Sequence, residues 1–360
     1  MNINLGGKSN NNKGSGIVGG LLLLVIATGL LWWNEGNNVR NIETVDQMKK
    51  EVIEISSSQV LPENDGKLVA TNGDLVVTDE AVSDDTFVVS EKTPCLRRIV
   101  EMYQWEETEN SDDDGTSYSY SQKWSEDILE ISHSNSHQNP TVMPYSSKSF
   151  IANEVKIGEY KLSTEQKENL STETECNITE SALIEGYNLY GNYITNSSDI
   201  NSPQIGDIRI SWKYNNWDKA SVLAVTAGDS FKDYLSKSNV TINRVDKGIL
   251  SSADLIQNQE NENNMMKWIF RALGAFMILM GYLTITGPLS RLTSKVPILG
   301  SLVGGTLGLI SFLLAIIHAS IIIIIAWFRY RPILSIVLII VIIAAIILIK
   351  KIVKKNQPQE

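Results

Sequence analysis

The chain alternates long uncharged runs with one broad polar middle. Ile17–Trp33 contains no charged residue. Further apolar runs follow at about Trp268–Gly287, within Val296–Phe328, and at Ile333–Ile349. A membrane-spanning helix needs about 20 apolar residues, with about 17 as the low end. The run within Val296–Phe328 is too short for two passes, so it predicts one helix from about Leu302 to Trp327 with an amphipathic entry. The first run exceeds a secretory h-region and ends in Trp32-Trp33 rather than in small residues, so it reads as a retained anchor. The pattern predicts an α+β protein with four transmembrane helices, one N-terminal and three C-terminal. A large β-rich domain lies between the first two.

Within that domain, residues 42–58 place Ile42, Val45, Met48, Val52 and Ile55 three or four apart, the spacing of an amphipathic helix. The stretch "GKLVATNGDLVV" reads as a strand with a turn at Asn72-Gly73. Further strands are expected at "SFIANEVKIGEY", "GDIRISWKYN" and "SVLAVTAG". Residues 96–127 predict a long hairpin. Tyr118, Tyr120 and Trp124 share one face of its second strand, Ser117, Ser119, Ser121 and Lys123 the other. Ile99, Tyr103 and Trp105 share a face on its first strand. "TENSDDDGT" forms the turn, with Asp112, Asp113 and Asp114 as a solvated acidic tip. "QNQENENN" at 257–264 extends the second membrane helix or links it to the domain.

Charge is unevenly placed along the chain. Residues 34–266 hold 40 acidic and 19 basic side chains, a net of −21; the remainder carries a net of +11. Such a split suggests opposite sides of a membrane, and it excludes nucleic-acid binding by the acidic part. With the N-terminus in the cytosol, Lys8, Lys13, Arg291, Lys295, Lys350, Lys351, Lys354 and Lys355 lie inside. Arg40, Lys267, Arg329 and Arg331 lie outside. This excess places both termini inside and 34–266 outside. Cys95 and Cys176 both fall in that outer region, where an oxidising compartment permits either one bridge or two free thiols. The boundaries expected are a disordered cytosolic 1–16, a first span at 17–33, an extracytoplasmic or lumenal domain at 34–266, a three-helix bundle at 267–350 and a basic tail at 351–360.

Few residues stand in patterns that carry chemistry. Asn110, Asp112, Asp114 and Gly115 match the opening of a calcium loop, but Ser121 stands where a bidentate glutamate is needed and strands flank it. His133 and His137 lie in a loop with no completing ligands, so no metal or other cofactor is expected. "GSGIVG" at 14–19 runs straight into a membrane span with no strand before it, unlike a nucleotide-binding turn. Within the membrane, Gly300, Gly304 and Gly308 recur every fourth residue. They form a small-residue stripe on which another helix can pack closely, a candidate surface for helix packing and oligomerisation. His318 stands nearly alone inside the third helix, as a proton site or as one interhelical hydrogen bond. Arg271, near a helix end, is expected to reach to the interface.

Several segments together resemble the LUMA, or transmembrane protein 43, family: "WNEG" (33–36), "PENDGKLV" (62–69), "LRRIVEMYQWEET" (96–108), "YSYSQKW" (118–124), "HQNP" (137–140), "GDIRISWKY" (206–214) and "WFRYRP" (327–332). They occur in the family's order and span most of the chain. The resemblance implies one N-terminal and three C-terminal spans around a large outer domain. It also implies self-association and binding to membrane and lamina partners, as in animal members of the endoplasmic reticulum and inner nuclear membrane, and it brings no catalytic residue. The resulting expectation is a non-catalytic membrane scaffold. It is embedded in the lipid bilayer, forms a homo-oligomer and binds protein partners but not nucleic acid. The rival is a channel or transporter using His318. The location expected is the plasma membrane in a bacterium, or the endoplasmic reticulum or inner nuclear membrane in a eukaryote. Asn169, Asn177, Asn196 and Asn239 are glycosylation sequons in the lumenal case.

Overall fold

The computed structural model describes residues 13–78, 80–112, 115–293, 299–330, 333, 336 and 340. The expected fourth span, Ile333–Ile349, the basic tail, residues 1–12 and Asp113-Asp114 of the acidic tip lie wholly or almost wholly outside these. The chain divides into two compact units, residues 1–45 with 259–360, and residues 46–258.

Three described helices are long and apolar enough to cross a membrane: α1 (Lys13–Glu51), α2 (Ser252–Thr293) and α3 (Leu299–Tyr330). Two expectations change here. The anchor and the amphipathic segment after it are one continuous helix, which stops at Glu51 rather than at Ser58. The polar residues at 34–38 do not interrupt it, because Asn34, Glu35 and Asn38 are buried against protein. The polar "QNQENENN" stretch is likewise helical and belongs to α2.

The second unit is built on strands. In chain order the strands that matter most for the fold are β1 (Leu68–Val77), β2 (Cys95–Asp112), β3 (Gly115–Ser125), β4 (Lys148–Ile151), β5 (Val155–Ile157), β6 (Tyr160–Lys161), β7 (Tyr193–Thr195), β8 (Ile208–Tyr214), β9 (Lys219–Ala227), β10 (Ser230–Lys232) and β11 (Arg244–Lys247), with several shorter strands between them. β1, β5, β6, β10 and β9 follow one another around a ring that closes where β9 pairs antiparallel with β1, Val225 opposite Leu68 and Lys219 opposite Asp74. Among the pairs of this ring β6–β10 is parallel, Ser230 opposite Lys161, and the others are antiparallel. Numbered within the ring, the order is 1-2-3-5-4 closing on 1, the connectivity of an OB-type Greek-key barrel. The expected turn at Asn72-Gly73 is absent, since β1 runs straight through it. Gly73 serves close approach instead: a Cβ there would lie 2.9 Å from Ser57 Oγ.

Two long insertions into the barrel build a second sheet, in which β7, β8, β2 and β3 are successive neighbours and β4 also pairs with β2. Barrel and sheet share one core, with Val69, Ile157, Val222 and Phe231 from the barrel, and Leu96, Val100, Ile210 and Trp212 from the sheet. Within that core Asp84 is fully buried. It accepts both Oδ bonds from Arg98 Nη1 at 2.9 Å and one from Trp212 Nε1 at 2.9 Å. Arg98 in turn lies over the Phe87 ring.

Candidate functional site

The membrane unit is tied by two polar layers. In the first, the Glu35 carboxylate of α1 accepts Arg271 Nε at 2.7 Å and Nη2 at 2.8 Å from α2, and Trp327 Nε1 at 2.9 Å from α3. The Glu35 side chain is 1% exposed and that of Arg271 14%. Arg271 is therefore turned to protein partners rather than to solvent. A bidentate carboxylate and the Trp268 face, 4.9 Å from the guanidinium, replace its water.

In the second layer, His318 of α3 has Nε2 3.2 Å from Thr28 Oγ1 and Nδ1 3.1 Å from Tyr282 Oη. The Thr28 hydroxyl donates to Leu24 O at 2.7 Å, which leaves its oxygen free to accept. A neutral ring with its proton on Nε2 then satisfies all the groups: Nε2–H donates to Thr28, and Nδ1 accepts from Tyr282. Thr286 and Ser311 meet at 3.3 Å in the same bundle.

Helices α1 and α2 approach through glycines that the sequence reading passed over. A Cβ on Gly20 would lie 2.8 Å from Gly281 O, one on Gly281 2.8 Å from Leu24 Cδ2, and one on Gly274 2.6 Å from Leu31 Cδ2. The seven-residue spacing of Gly274 and Gly281, which puts both on one helix face, was the available signal. The stripe singled out from sequence, Gly300, Gly304 and Gly308, lies on α3 at successive turns. A Cβ on Gly308 meets nothing within 4 Å, so this glycine faces open space among the described residues.

In the second unit the hairpin pairs as expected, with Tyr103 opposite Trp124, Glu107 opposite Tyr120 and Asp112 opposite Gly115. Beyond Met102, β2 leaves β8 and is covered by the loop of residues 128–140. Asn139 acts there as a substitute strand: its Oδ1 accepts Trp105 N and its Nδ2 donates to Trp105 O, both at 2.7 Å. His133 stacks on Tyr118 at 3.9 Å, and His137 on Tyr120 at 4.2 Å. Glu107 takes His133 Nδ1 at 2.9 Å and His133 N at 2.8 Å. The hydrogen bond from the His133 side chain, before all other causes, holds the Glu107 carboxyl below its ordinary range. Burial first, then Glu107, pushes the Tyr120 phenol up. Both histidines read from sequence as loop residues are thus packed against the hairpin. Trp105, on the face shared with Ile99 and Tyr103, is half-buried, while Trp212 is fully buried.

Cys95 and Cys176 are free and buried. Burial raises both thiols above their ordinary range. Among the described residues no cluster of three His, Cys, Asp or Glu could hold a metal. A cavity of about 500 Å³ lies on the second sheet. Its lining includes Glu101, Glu126, Glu175, Arg209, Lys213 and Ser211, a mixed charged and polar set.

No solved structure matches the chain. Among named proteins, it is 28% identical to Transmembrane protein 43 of Rattus norvegicus, over 90% of this chain and 86% of that protein. It is 27% identical to the Homo sapiens protein over the same shares. It is 26% identical to the Transmembrane protein 43 homolog of Drosophila melanogaster, over 89% of this chain and 90% of that one. The family model described as Transmembrane protein 43 matches residues 102–332, more than half of the chain, and includes the hairpin from Met102 onward, the 128–140 loop that covers it and the Glu35 partners Arg271 and Trp327. The chain belongs to the transmembrane protein 43 family.

Proposed function

We propose that this family member is a non-catalytic, multi-pass membrane scaffold that self-associates within the bilayer and binds protein partners through its large outer domain. The observation that carries the reading is the state of the bundle's polar groups. His318 has a partner on each ring nitrogen, and Glu35 has both oxygens occupied. A transport path needs polar groups facing water along the membrane. These face one another and lock helices together. Both termini lie in the cytosol in this proposal, with residues 34–266 on the lumenal side of the endoplasmic reticulum or inner nuclear membrane, or outside a bacterial cell. Self-association uses the face of α3 that carries Gly300, Gly304 and Gly308.

The test is cross-linking of the whole protein in membranes. Gly304→Leu should weaken the oligomer ladder while Thr306→Leu, off the stripe, leaves it intact. Identical ladders would remove the stripe from the contact. The transport alternative is tested by reconstitution: proton flux above that of empty liposomes, lost in His318→Ala, would overturn the scaffold reading.

A further inference from the structure

The same end of the bundle that holds Glu35 also contains an open cavity of about 390 Å³ between α1 and α3. Its walls are Trp32, Trp33, Arg40 and Glu43 from α1, and Arg329 and Tyr330 from α3. The rings of Trp32 and Tyr330 lie 6.0 Å apart. The chain fits Tyr330 there by leaving Gly36 bare, since a Cβ on Gly36 would lie 2.7 Å from Tyr330 Oη. Trp33 is 47% exposed, although it is a large aromatic ring on a membrane helix.

Depth along the helix says what this cavity meets. The uncharged run Ile17–Trp33 covers about 25 Å at 1.5 Å per residue, close to the hydrocarbon thickness. Arg40 lies seven residues further on, ~10 Å along the axis, among lipid headgroups. On α3 the first charge after the apolar run is Arg329, at the same end of the bundle. Tryptophan and tyrosine rings concentrate at that depth, where one edge is dry and the other wet. Two guanidiniums against one carboxylate leave the cavity net positive. Arginine prefers a phosphate oxygen pair, which it meets with parallel hydrogen bonds. The Arg40 guanidinium makes one hydrogen bond among the described residues, Nη2 to Asn37 Oδ1 at 3.3 Å, a long bond that a stronger acceptor displaces.

The geometry points to a binding site for the phosphodiester headgroup of a glycerophospholipid, its phosphate between Arg40 and Arg329 and its glycerol end against Trp32, Trp33 and Tyr330. A free phosphate would use the two arginines but leave the aromatic walls uncovered. A lipid covers both, and its acyl chains continue down the apolar faces of α1 and α3. Bound in this way it joins two helices that the Glu35 cluster also joins, so an ordered lipid becomes part of the bundle's outer layer.

The test uses the full-length protein in phosphatidylcholine vesicles that contain a trace of a phosphatidylcholine with a photoreactive headgroup. After illumination, adducts are mapped by peptide mass spectrometry. They should fall on peptides spanning Trp32–Glu43 or Trp327–Tyr330. The exposed pair Arg40→Gln/Arg329→Gln should lower them by about tenfold while its gel-filtration profile is unchanged. Each single variant should give an intermediate loss, so that the site is still tested if the pair reconstitutes poorly. Unchanged labelling in the variants would overturn the site, as would adducts that avoid both peptides. Suppression of labelling by millimolar inorganic phosphate would assign the arginines to a free anion and overturn the lipid.

Discussion

The buried pair Asp84–Arg98 yields a sharp quantitative expectation. Asp84 is 0% exposed and the Arg98 side chain 7%. Asp84→Ala leaves the guanidinium with Ser146 O, which it holds through Nε, but with no counter-charge. It also strands the indole N–H of a fully buried tryptophan. Removing one partner of such a pair costs about 3–5 kcal/mol. For a domain of this size each kcal/mol moves the melting temperature by about 2–4 °C, so the expected fall is ~6–20 °C. Replacing both partners, Asp84→Ala with Arg98→Leu, removes the orphaned charge, so the double variant should be milder than the two single losses added together. Trp212 lies edge-on to Phe87 at 5.3 Å, which makes its fluorescence a direct reporter of this core. Thermal melts of the whole protein in detergent, followed by tryptophan emission, measure both quantities. A shift below ~2 °C for Asp84→Ala, or strict additivity in the double variant, would refute the claim that this pair organises the strand-built unit.

Further expectations follow from the same contacts. Because the folded Glu107 carboxyl lies below the ordinary 4.5, its hold on the 128–140 clasp is fully present above about pH 4.5 and is lost as pH falls through the lowered folded value. Amide exchange at Ser132 and His133 should therefore stay slow at pH 5 and become fast at that pH in Glu107→Gln; equal rates in the two proteins would count against it. Asn139→Ala removes both of its bonds to the Trp105 backbone and should free the clasp to proteolysis near Asn135 without lowering the melting temperature of the core, whereas an uncut loop would show that stacking alone secures it. Gly281→Leu forces a side chain into the Gly20 backbone and should reduce the yield of folded protein in detergent far more than Gly308→Leu, which meets open space; equal yields would remove the α1–α2 glycine contact. Both cysteines, buried with raised thiols, should resist a maleimide until the protein is denatured, and rapid labelling of the native protein would contradict their placement.

The one-dimensional pattern was enough wherever a segment's structure depends on the segment alone. A run such as Ile17–Trp33 satisfies its own backbone as a helix and needs only a lipid environment, so length and apolarity identify it. The hairpin was equally legible, because alternation of Tyr118, Tyr120 and Trp124 with serines fixes both face and register. His318 and the glycines of α3 were visible as residues but not as contacts. What tertiary structure decided was pairing between distant positions. Helix α1 passes through Asn34 and Glu35 without a break because Lys267 O and Arg271, more than 230 residues later, satisfy them. Barrel closure sets Leu68 against Val225, and the histidines at 133 and 137 acquire a role only because the chain folds back over Tyr118 and Tyr120. Local sequence sets a residue's period and propensity; it carries no record of which partner will replace the water that a buried polar group gives up.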